Sequence, residues 1–447
     1  MEELYFEDDF TEDSEKAKLH ETAPEELKKA VCVSIYDQGG EGACADSLEE
    51  LRRLLDTAGA SVSAIVTQMR HAPDTKYGVG SGKIEEISDI CEKTGSNLVV
   101  FDFELTPSQI KEIENAIETD VSVLDRSMLI LDIFASRARS AEGRLQVELA
   151  QLKYTAPRLM GKGKSMSRLG GGIGTRGPGE SKLEIDRRRL KTRVAQLEEE
   201  LRKVEKNRLT MRRQRERSGI AKCAIVGYTN AGKSTLLNRL TGAGILAEDK
   251  LFATLDPTTR QYELPSGTKM LLTDTVGFIN NLPHHLIKAF RSTLDEAVFA
   301  DALIILSDAS DSSAATQLEV CTKLLSELGA NGKPSLFVFN KCDEQKDEDT
   351  LYSLSRIASA FGSDYVFISA KTGEGIDSLL SALEKLLCRG KKNIRIHLPS
   401  SKANLISLIY EKGENVEVEY RTDGIYASLT ADEKLQGQLA EYTVEGE

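Results

Sequence analysis

Apolar residues recur with two different periods along the chain, and the first region shows a strand–helix alternation. The predicted strands are Val31–Tyr36, Ser61–Val66, Asn97–Phe103 and Val121–Leu124. The predicted helices between them are Ser47–Asp56, Lys83–Glu92 and Pro107–Glu118. Such alternation is typical of parallel strands joined by helical crossovers. We therefore predict a small parallel α/β domain over residues 27–125.

The period changes at about Leu129, where apolar residues become narrow stripes on charged helices. One stripe is Leu145, Leu149 and Leu152, and the other is Leu190, Val194, Leu197, Leu201 and Val204. Residues 161–179 between the stripes are rich in glycine and carry Lys162, Lys164, Arg168 and Arg176. Stripes spaced by three and four residues favour pairing of two helices. We predict an antiparallel helical hairpin over residues 126–217, with a basic glycine-rich tip. A disordered linker is the alternative.

Charge is distributed unevenly around this hairpin. The whole chain has 58 basic and 71 acidic residues, a net charge of −13. Residues 151–217 hold 20 basic and 8 acidic side chains, so the remainder holds 38 and 63 and carries −25. A basic segment in an acidic protein indicates a polyanion partner. A solvated helix with internal ion pairs is the alternative. We expect the four basic tip residues to contact RNA.

Several classes of protein are disfavoured by the remaining composition. No apolar run reaches the roughly 18 residues of a membrane helix, and the N-terminal region is acidic, unlike a leader peptide. The seven cysteines form no C-x-x-C pair, which favours reduced thiols. We expect a monomeric cytoplasmic protein, a fraction of which associates with the membrane. Residues 1–26 are predicted to be a disordered acidic tail, and residues 390–447 a small acidic α+β domain.

A phosphate-binding loop follows the strand that ends at Val226. The loop and the start of the next helix read Gly227-Tyr228-Thr229-Asn230-Ala231-Gly232-Lys233-Ser234-Thr235, which is G-x-x-x-x-G-K-S in strand–loop–helix context. Backbone N–H groups of such a loop cradle phosphates at a helix N-terminus. We expect Lys233 to bridge the β- and γ-phosphates and Ser234 to ligate Mg²⁺.

Three further motifs follow strands in the order required for a guanine site. They are Asp274-Thr275-Val276-Gly277, Asn340-Lys341-Cys342-Asp343 and Ser369-Ala370-Lys371. Asp274 can hold Mg²⁺ through water, and Gly277 can sense the γ-phosphate. The carboxylate of Asp343 can accept hydrogen bonds from N1–H and the 2-amino group of guanine, which adenine does not offer. The sequence therefore predicts a guanine-nucleotide-binding domain over residues 218–389, with a mostly parallel sheet and flanking helices.

One Mg²⁺ ligand remains to be found between Ser234 and Asp274. The segment Phe252-Ala253-Thr254-Leu255-Asp256-Pro257-Thr258-Thr259-Arg260 offers three threonines. Spacing alone does not choose among them.

With these motifs, the chain resembles the HflX family of ribosome-associated, P-loop GTPases. The resemblance covers about Val31 to Arg389 and extends beyond the nucleotide motifs. It includes Leu124-Asp125-Arg126, Asp132-Ile133-Phe134-Ala135, residues 146–152 (QVELAQL) and residues 172–180 (GIGTRGPGE). The resemblance implies that Phe252-Ala253-Thr254-Leu255-Asp256 is switch I, with Thr254 as the second Mg²⁺ ligand. It also implies binding to the large ribosomal subunit and its rRNA, and splitting of stalled or idle ribosomes under stress.

Two residues suggest how hydrolysis is controlled. Phe278 follows Gly277 where signalling GTPases have a water-orienting Gln, so we expect slow turnover alone and acceleration by ribosomes. Asn230 matches the position seen in potassium-activated relatives, which makes K⁺ a candidate second cofactor beside Mg²⁺. A loop-stabilising hydrogen bond is the alternative role for Asn230. The alternatives for the whole protein are a GTPase of large-subunit assembly or RNA modification, and a signalling switch with a protein partner.

Overall fold

The computed structural model describes residues 28–117, 119–166, 182–216, 220–242, 251–252, 255–280, 283, 286, 291–344, 348–387, 392–431 and 433–444. Side chains are described for these residues except 157–166, 182–186, 209, 211–216, 291–293, 392–393, 414–415 and 433–434. The chain divides into two compact units, Met1–Ile130 and Leu131–Glu447. Residues 1–26, the predicted acidic tail, lie outside the described residues.

The first unit is the predicted parallel α/β domain. Its elements are β1 (Lys28–Tyr36), α1 (Glu41–Thr57), β2 (Ala60–Met69), α2 (Ser81–Thr94), β3 (Leu98–Phe101), α3 (Pro107–Ala116) and β4 (Ser122–Asp125). The strands form one parallel sheet in the order β2-β1-β3-β4. The helices cover the sheet, and the apolar core includes Val33, Ile87, Phe101 and Ile113. The strand–helix alternation in the sequence is therefore confirmed.

A helical region follows, with α4 (Arg126–Arg137), α5 (Ala141–Met166) and α6 (Lys182–Glu216). Helices α5 and α6 pack as the predicted antiparallel hairpin. Arg193 makes a two-pronged ion pair with Glu148, at 2.7 and 2.8 Å, and Arg208 bonds Glu142 at 3.3 Å. The two pairs run in opposite directions along the helices, which fixes their antiparallel sense. Leu197 of the predicted stripe is fully buried.

The nucleotide-binding domain is built on a six-stranded sheet in the order β10-β9-β8-β5-β7-β6. Its strands are β5 (Ala221–Gly227), β6 (Thr258–Glu263), β7 (Lys269–Asp274), β8 (Ala302–Asp308), β9 (Ser335–Asn340) and β10 (Asp364–Phe367). Its helices are α7 (Lys233–Thr241), α8 (Arg291–Phe299), α9 (Ala314–Glu327), α10 (Glu348–Ala360) and α11 (Ile376–Leu387). Only β6 runs antiparallel to its neighbour among these strands. The carboxyl ends of the parallel strands thus meet at one edge, where ligands of such sheets bind.

The last part of the chain is a small α+β domain, as predicted. It contains β11 (Lys392–Leu398), α12 (Leu405–Lys412), β12 (Glu414–Arg421), β13 (Gly424–Ala431) and α13 (Glu433–Leu439), with an antiparallel sheet ordered β11-β13-β12. Across the described residues of the whole chain, no helix has the length and apolar character needed to span a membrane. The six described cysteines are free thiols, and five of them are buried.

Candidate nucleotide-binding site

The phosphate-binding loop lies between the end of β5 and the start of α7, and its glycines are required by close packing. Gly232 caps α7 in the left-handed region, at φ 94°, and a Cβ there would collide with the amide nitrogen of Asn340. A Cβ on Gly227 would collide with the carbonyl oxygen of Leu306 on β8. Only glycine fits both places, since it has no Cβ and adopts positive φ without strain. The loop is therefore held tightly against two neighbouring strand ends.

Lys233 is the buried cation of this loop. Its ammonium group donates hydrogen bonds to the carbonyl oxygens of Tyr228, at 2.7 Å, and Gly227, at 3.2 Å. Burial lowers the pKa of Lys233, and the nearby carboxylate of Asp274 opposes that shift. The loop thus folds around its own lysine, as expected of a residue placed to contact phosphate oxygens.

Two predicted magnesium ligands lie side by side. The hydroxyl of Ser234 donates a 2.6 Å hydrogen bond to Asp274, which is fully buried at the end of β7. Thr275 next to it is fixed by a 2.8 Å bond to the carbonyl oxygen of Ile225. Hydroxyl and carboxylate oxygens are the ligands that Mg²⁺ prefers, so this pair fits the ion. Ala253 and Thr254 of the predicted switch I lie outside the described residues.

The segment after Asp274 is joined to the phosphate loop by backbone hydrogen bonds. The N–H of Phe278 donates to Gly227 at 3.0 Å, and the N–H of Thr229 donates to Phe278 at 2.7 Å. The hydroxyl of Tyr228 accepts from the backbone N–H of Asn280 at 2.6 Å. Val276 and the ring of Phe278 are buried. From the sequence, Tyr228 was predicted only as a member of the phosphate loop. Its phenol, which can accept a hydrogen bond, was the signal for this second contact.

Gly277 completes the junction between these two segments. A Cβ at this position would lie 2.8 Å from the Cα of Thr229 and 2.9 Å from the ammonium nitrogen of Lys233. Any side chain would therefore displace the loop or its lysine. The backbone of Gly277 therefore lies close to the ammonium group of Lys233, where the predicted contact of its N–H with the γ-phosphate would form.

The three loops of the predicted guanine site converge through Asn340. Its side-chain NH₂ donates to the carbonyl oxygen of Ala231 at 2.9 Å, and its side-chain oxygen accepts from the N–H of Ala370 at 2.9 Å. Asn340 thereby links the phosphate loop to the Ser369-Ala370-Lys371 loop. Ser369 is buried, and its hydroxyl accepts from the N–H of Thr372 at 3.1 Å.

The remaining guanine-site candidates are more exposed. Lys341 adopts φ 64°, uncommon for a residue with a side chain, and its ammonium pairs with Asp308 at 2.6 Å. Asp343 is exposed, and Lys371 forms an exposed ion pair with Glu344 at 3.4 Å. Sequence reasoning missed Asp308. Its place at the carboxyl end of β8, beside the other site strands, was the signal that could have identified it.

The side chains of the four basic tip residues lie outside the described residues. Lys162 and Lys164 lie within the backbone of α5, but their side chains are outside the described residues. Arg168 and Arg176 are also outside them. Their predicted contact with RNA therefore stays a prediction from sequence.

Comparison with family models gives four matches along the chain. Residues 45–135 match a model described as GTP-binding GTPase N-terminal, and residues 137–215 match GTP-binding GTPase Middle Region. Residues 222–341 match a model described as 50S ribosome-binding GTPase, and residues 357–443 match HflX C-terminal domain.

Curated relatives agree with these matches. The chain is 47% identical over 417 residues to GTPase HflX of Lacrimispora saccharolytica, an alignment that covers 93% of this chain and 96% of that protein. It is 41% identical over 402 residues to GTPase HflX of Escherichia coli, covering 90% and 92%. Among solved structures, a GTP-binding protein from Sulfolobus solfataricus in complex with GDP is 27% identical, with a TM-score of 0.44, and covers 81% of this chain and 99% of that one.

Proposed function

The chain belongs to the HflX family of GTPases, and from that membership we propose that it binds the large ribosomal subunit and splits stalled or idle ribosomes under stress. Binding of GTP and GDP and hydrolysis of GTP follow from the family itself. The observation that carries the ribosomal part is the match of residues 222–341 to a model of 50S ribosome-binding GTPases. The basic segment of the hairpin, which suits an rRNA partner, supports it independently.

We assign the nucleotide contacts to the loops described above. Lys233 is the proposed contact to the β- and γ-phosphates. Ser234 and Thr254, with Asp274 through water, are the proposed Mg²⁺ ligands. When bound, Mg²⁺ neutralises the charge that develops on the phosphates during hydrolysis. Asn340 holds the loops together, and Asp343 is the proposed acceptor for the guanine base.

Turnover by the isolated protein is expected to be slow. Phe278 is buried at the position where a water-orienting glutamine would stand, and a phenyl ring cannot orient water by hydrogen bonding. Closed switches would favour one ribosome-bound conformation, and hydrolysis would permit release.

Asn230 is proposed to hold a K⁺ ion beside the phosphates. It adopts φ 63° within the phosphate loop, a conformation that asparagine tolerates better than most residues. Hydrolysis should therefore be faster in KCl than in NaCl at equal ionic strength. The Asn230→Ala variant should turn over equally in both salts. Equal rates of the unaltered protein in the two salts would remove K⁺ from the proposal.

The ribosomal proposal is tested by changing the basic tip alone. Replacement of Lys162, Lys164, Arg168 and Arg176 by Gln should weaken co-sedimentation with large subunits and flatten its dependence on salt, because fewer counterions are released. Affinity for GTP and GDP should stay unchanged.

A matched variant controls for the change in net charge. It carries four Gln substitutions at exposed lysines outside the basic segment, namely Lys323, Lys385, Lys402 and Lys412. This variant should bind subunits like the unaltered protein. Equal binding by both variants would contradict an RNA-contacting hairpin and favour a protein partner. Preference for precursor particles over mature subunits would instead indicate a role in subunit assembly.

A further inference from the structure

A carboxylate of the predicted switch I binds the N-terminus of the first hairpin helix. Asp256 accepts hydrogen bonds from the backbone N–H groups of Arg139, at 3.0 Å, and Ser140, at 2.7 Å. Its second oxygen accepts from the hydroxyl of Ser140. That hydroxyl in turn accepts from the N–H of Gly143 at 2.8 Å, so Ser140 caps α5. Asp256 thus accepts from the N–H groups of the N-cap residue and of the residue before it, at the helix end where negative charge is favourable.

Gly143 shows that the contact is closely fitted. A Cβ at this position would lie 2.6 Å from a carboxylate oxygen of Asp256 and 3.0 Å from the hydroxyl oxygen of Ser140. Gly143 lies in the first turn of α5, where glycine weakens a helix because it loses the most backbone entropy on folding. A glycine at this position therefore makes room for the carboxylate of Asp256, although it does not stabilise the helix.

Apolar packing holds the same segment at a second point. The ring of Phe252 meets the ring of Phe134 edge-on, with centroids 4.7 Å apart. Leu251, Phe252 and Leu255 are each no more than 4% exposed. Phe252 adopts φ 54°, a conformation that a bulky residue keeps only where its surroundings fix it. The described residues on both sides of Ala253 and Thr254 are therefore anchored to the α4–α5 region.

We propose that Asp256 is a positioning residue, which fixes switch I on the N-terminus of α5 and thereby links Mg²⁺–GTP binding to the hairpin. Thr254, the proposed Mg²⁺ ligand, is only two residues from Asp256 in the sequence, so both belong to the same short segment. The inference deepens the proposed function, because it rests on the assignment of Thr254 as a Mg²⁺ ligand. Such coupling is reciprocal. If GTP binding strengthens the binding of a partner to α5, that partner strengthens GTP binding by the same factor.

The first test compares Asp256→Ala with Asp377→Ala in the full chain. Asp377 is an exposed first-turn aspartate of α11, and serves as the matched control. Asp256→Ala should lower the Mg²⁺-dependent affinity for a non-hydrolysable GTP analogue at least tenfold, and leave GDP affinity within about twofold. Asp256→Asn should restore most of the affinity, since its amide oxygen can accept both backbone hydrogen bonds.

The second readout is hydrogen exchange of the amides in residues 141–148. In the unaltered protein, the GTP analogue and GDP should give different protection there. Asp256→Ala and Gly143→Ala should both abolish this difference, because a Cβ on Gly143 expels the carboxylate. Gly42→Ala is the matched control: Gly42 lies in the first turn of α1, and a Cβ there meets open space. It should leave the difference intact.

Thr254→Ala separates failure of this inference from failure of the proposed Mg²⁺ ligand. If Thr254→Ala weakens Mg²⁺–GTP binding but Asp256→Ala behaves like Asp377→Ala in both readouts, the positioning role is overturned and the ligand assignment stands. If Thr254→Ala has no effect, the ligand assignment fails. The exchange difference at α5 then decides alone whether Asp256 carries the nucleotide state to the hairpin.

Discussion

Discrimination between guanine and other bases is assigned to one carboxylate, that of Asp343. Its loop is positioned by neighbouring residues: the buried Asn340 is hydrogen-bonded on both sides, and the partly exposed Lys341 is held by Asp308. Asp343 itself is exposed and is not tied down by an ion pair among the described residues. Selectivity would thus come from a free acceptor placed by a rigid loop.

The Asp343→Asn variant should therefore change its base preference while its fold stays the same. An amide offers one acceptor and one donor group, so it cannot accept from both N1–H and the 2-amino group of guanine. We expect GTP affinity to fall at least a hundredfold, about 3 kcal/mol, and affinity for xanthosine triphosphate to rise, because its 2-oxo group accepts from the new NH₂. Titration with both nucleotides measures this. Unchanged GTP affinity would contradict the assigned role of Asp343.

Other residue contacts in the site could not have been read from the sequence. The phosphate loop is local, since its glycines, lysine and serine lie within eight consecutive residues, and its motif therefore predicts its structure. The contact of Asp256 with Ser140 joins residues 116 positions apart. Asp308 meets Lys341 across two neighbouring strands. Such pairs depend on strand order and helix placement, which hydrophobic periodicity does not specify.

At the scale of elements, the first unit contains a buried ion cluster that joins α1, the residue after β3 and the start of α4. Arg126 is 2% exposed; it bonds Asp102 at 2.6 Å and also Glu50, and Ser47 donates to Asp102 at 2.6 Å. Two carboxylates and one guanidinium share this interior. Removal of the cation would leave the acids uncompensated in a poorly hydrated place.

Arg126→Met should consequently lower the free energy of unfolding of the first unit by about 3–5 kcal/mol. Arg52→Met is the control, because Arg52 pairs with Glu49 on the exposed face of α1, where an ion pair contributes about 1 kcal/mol or less. The free energy of unfolding of both variants is measured by urea denaturation, with hydrogen exchange of the β3 amides as the readout. A loss below about 1 kcal/mol for Arg126→Met would show that the cluster does not stabilise the unit.

Element starts were predictable where the chemistry is local. The helix predicted from Pro107 does begin at Pro107. The structure has a reciprocal capping box there, with the N–H of Gln109 donating to Thr106 and the N–H of Thr106 donating to Gln109. Helix α1 begins at Glu41, six residues before its predicted start, because the glycine-containing segment from Glu41 to Asp46 lacks a clear apolar stripe. Tertiary packing stabilises such a helical turn even where the sequence has no apolar periodicity that predicts it.

At the scale of the whole molecule, the predicted nucleotide site and the basic segment lie in different parts of the chain. The nucleotide loops lie at one edge of the six-stranded sheet, and the excess of basic residues lies in the hairpin. Asp256 joins the second unit's switch segment to the start of that hairpin. The proposed action on an RNA-rich particle would use this connection, because through it the nucleotide state would alter how the basic tip is held.

The most direct test of the central claim is GTP turnover by the purified protein alone, with large ribosomal subunits and with intact ribosomes. We predict that large subunits accelerate turnover at least tenfold, because the buried Phe278 supplies no group to orient water and the ribosome must complete the site. Equal turnover in all three conditions would contradict a ribosome-activated GTPase, while leaving the guanine-nucleotide site itself in place.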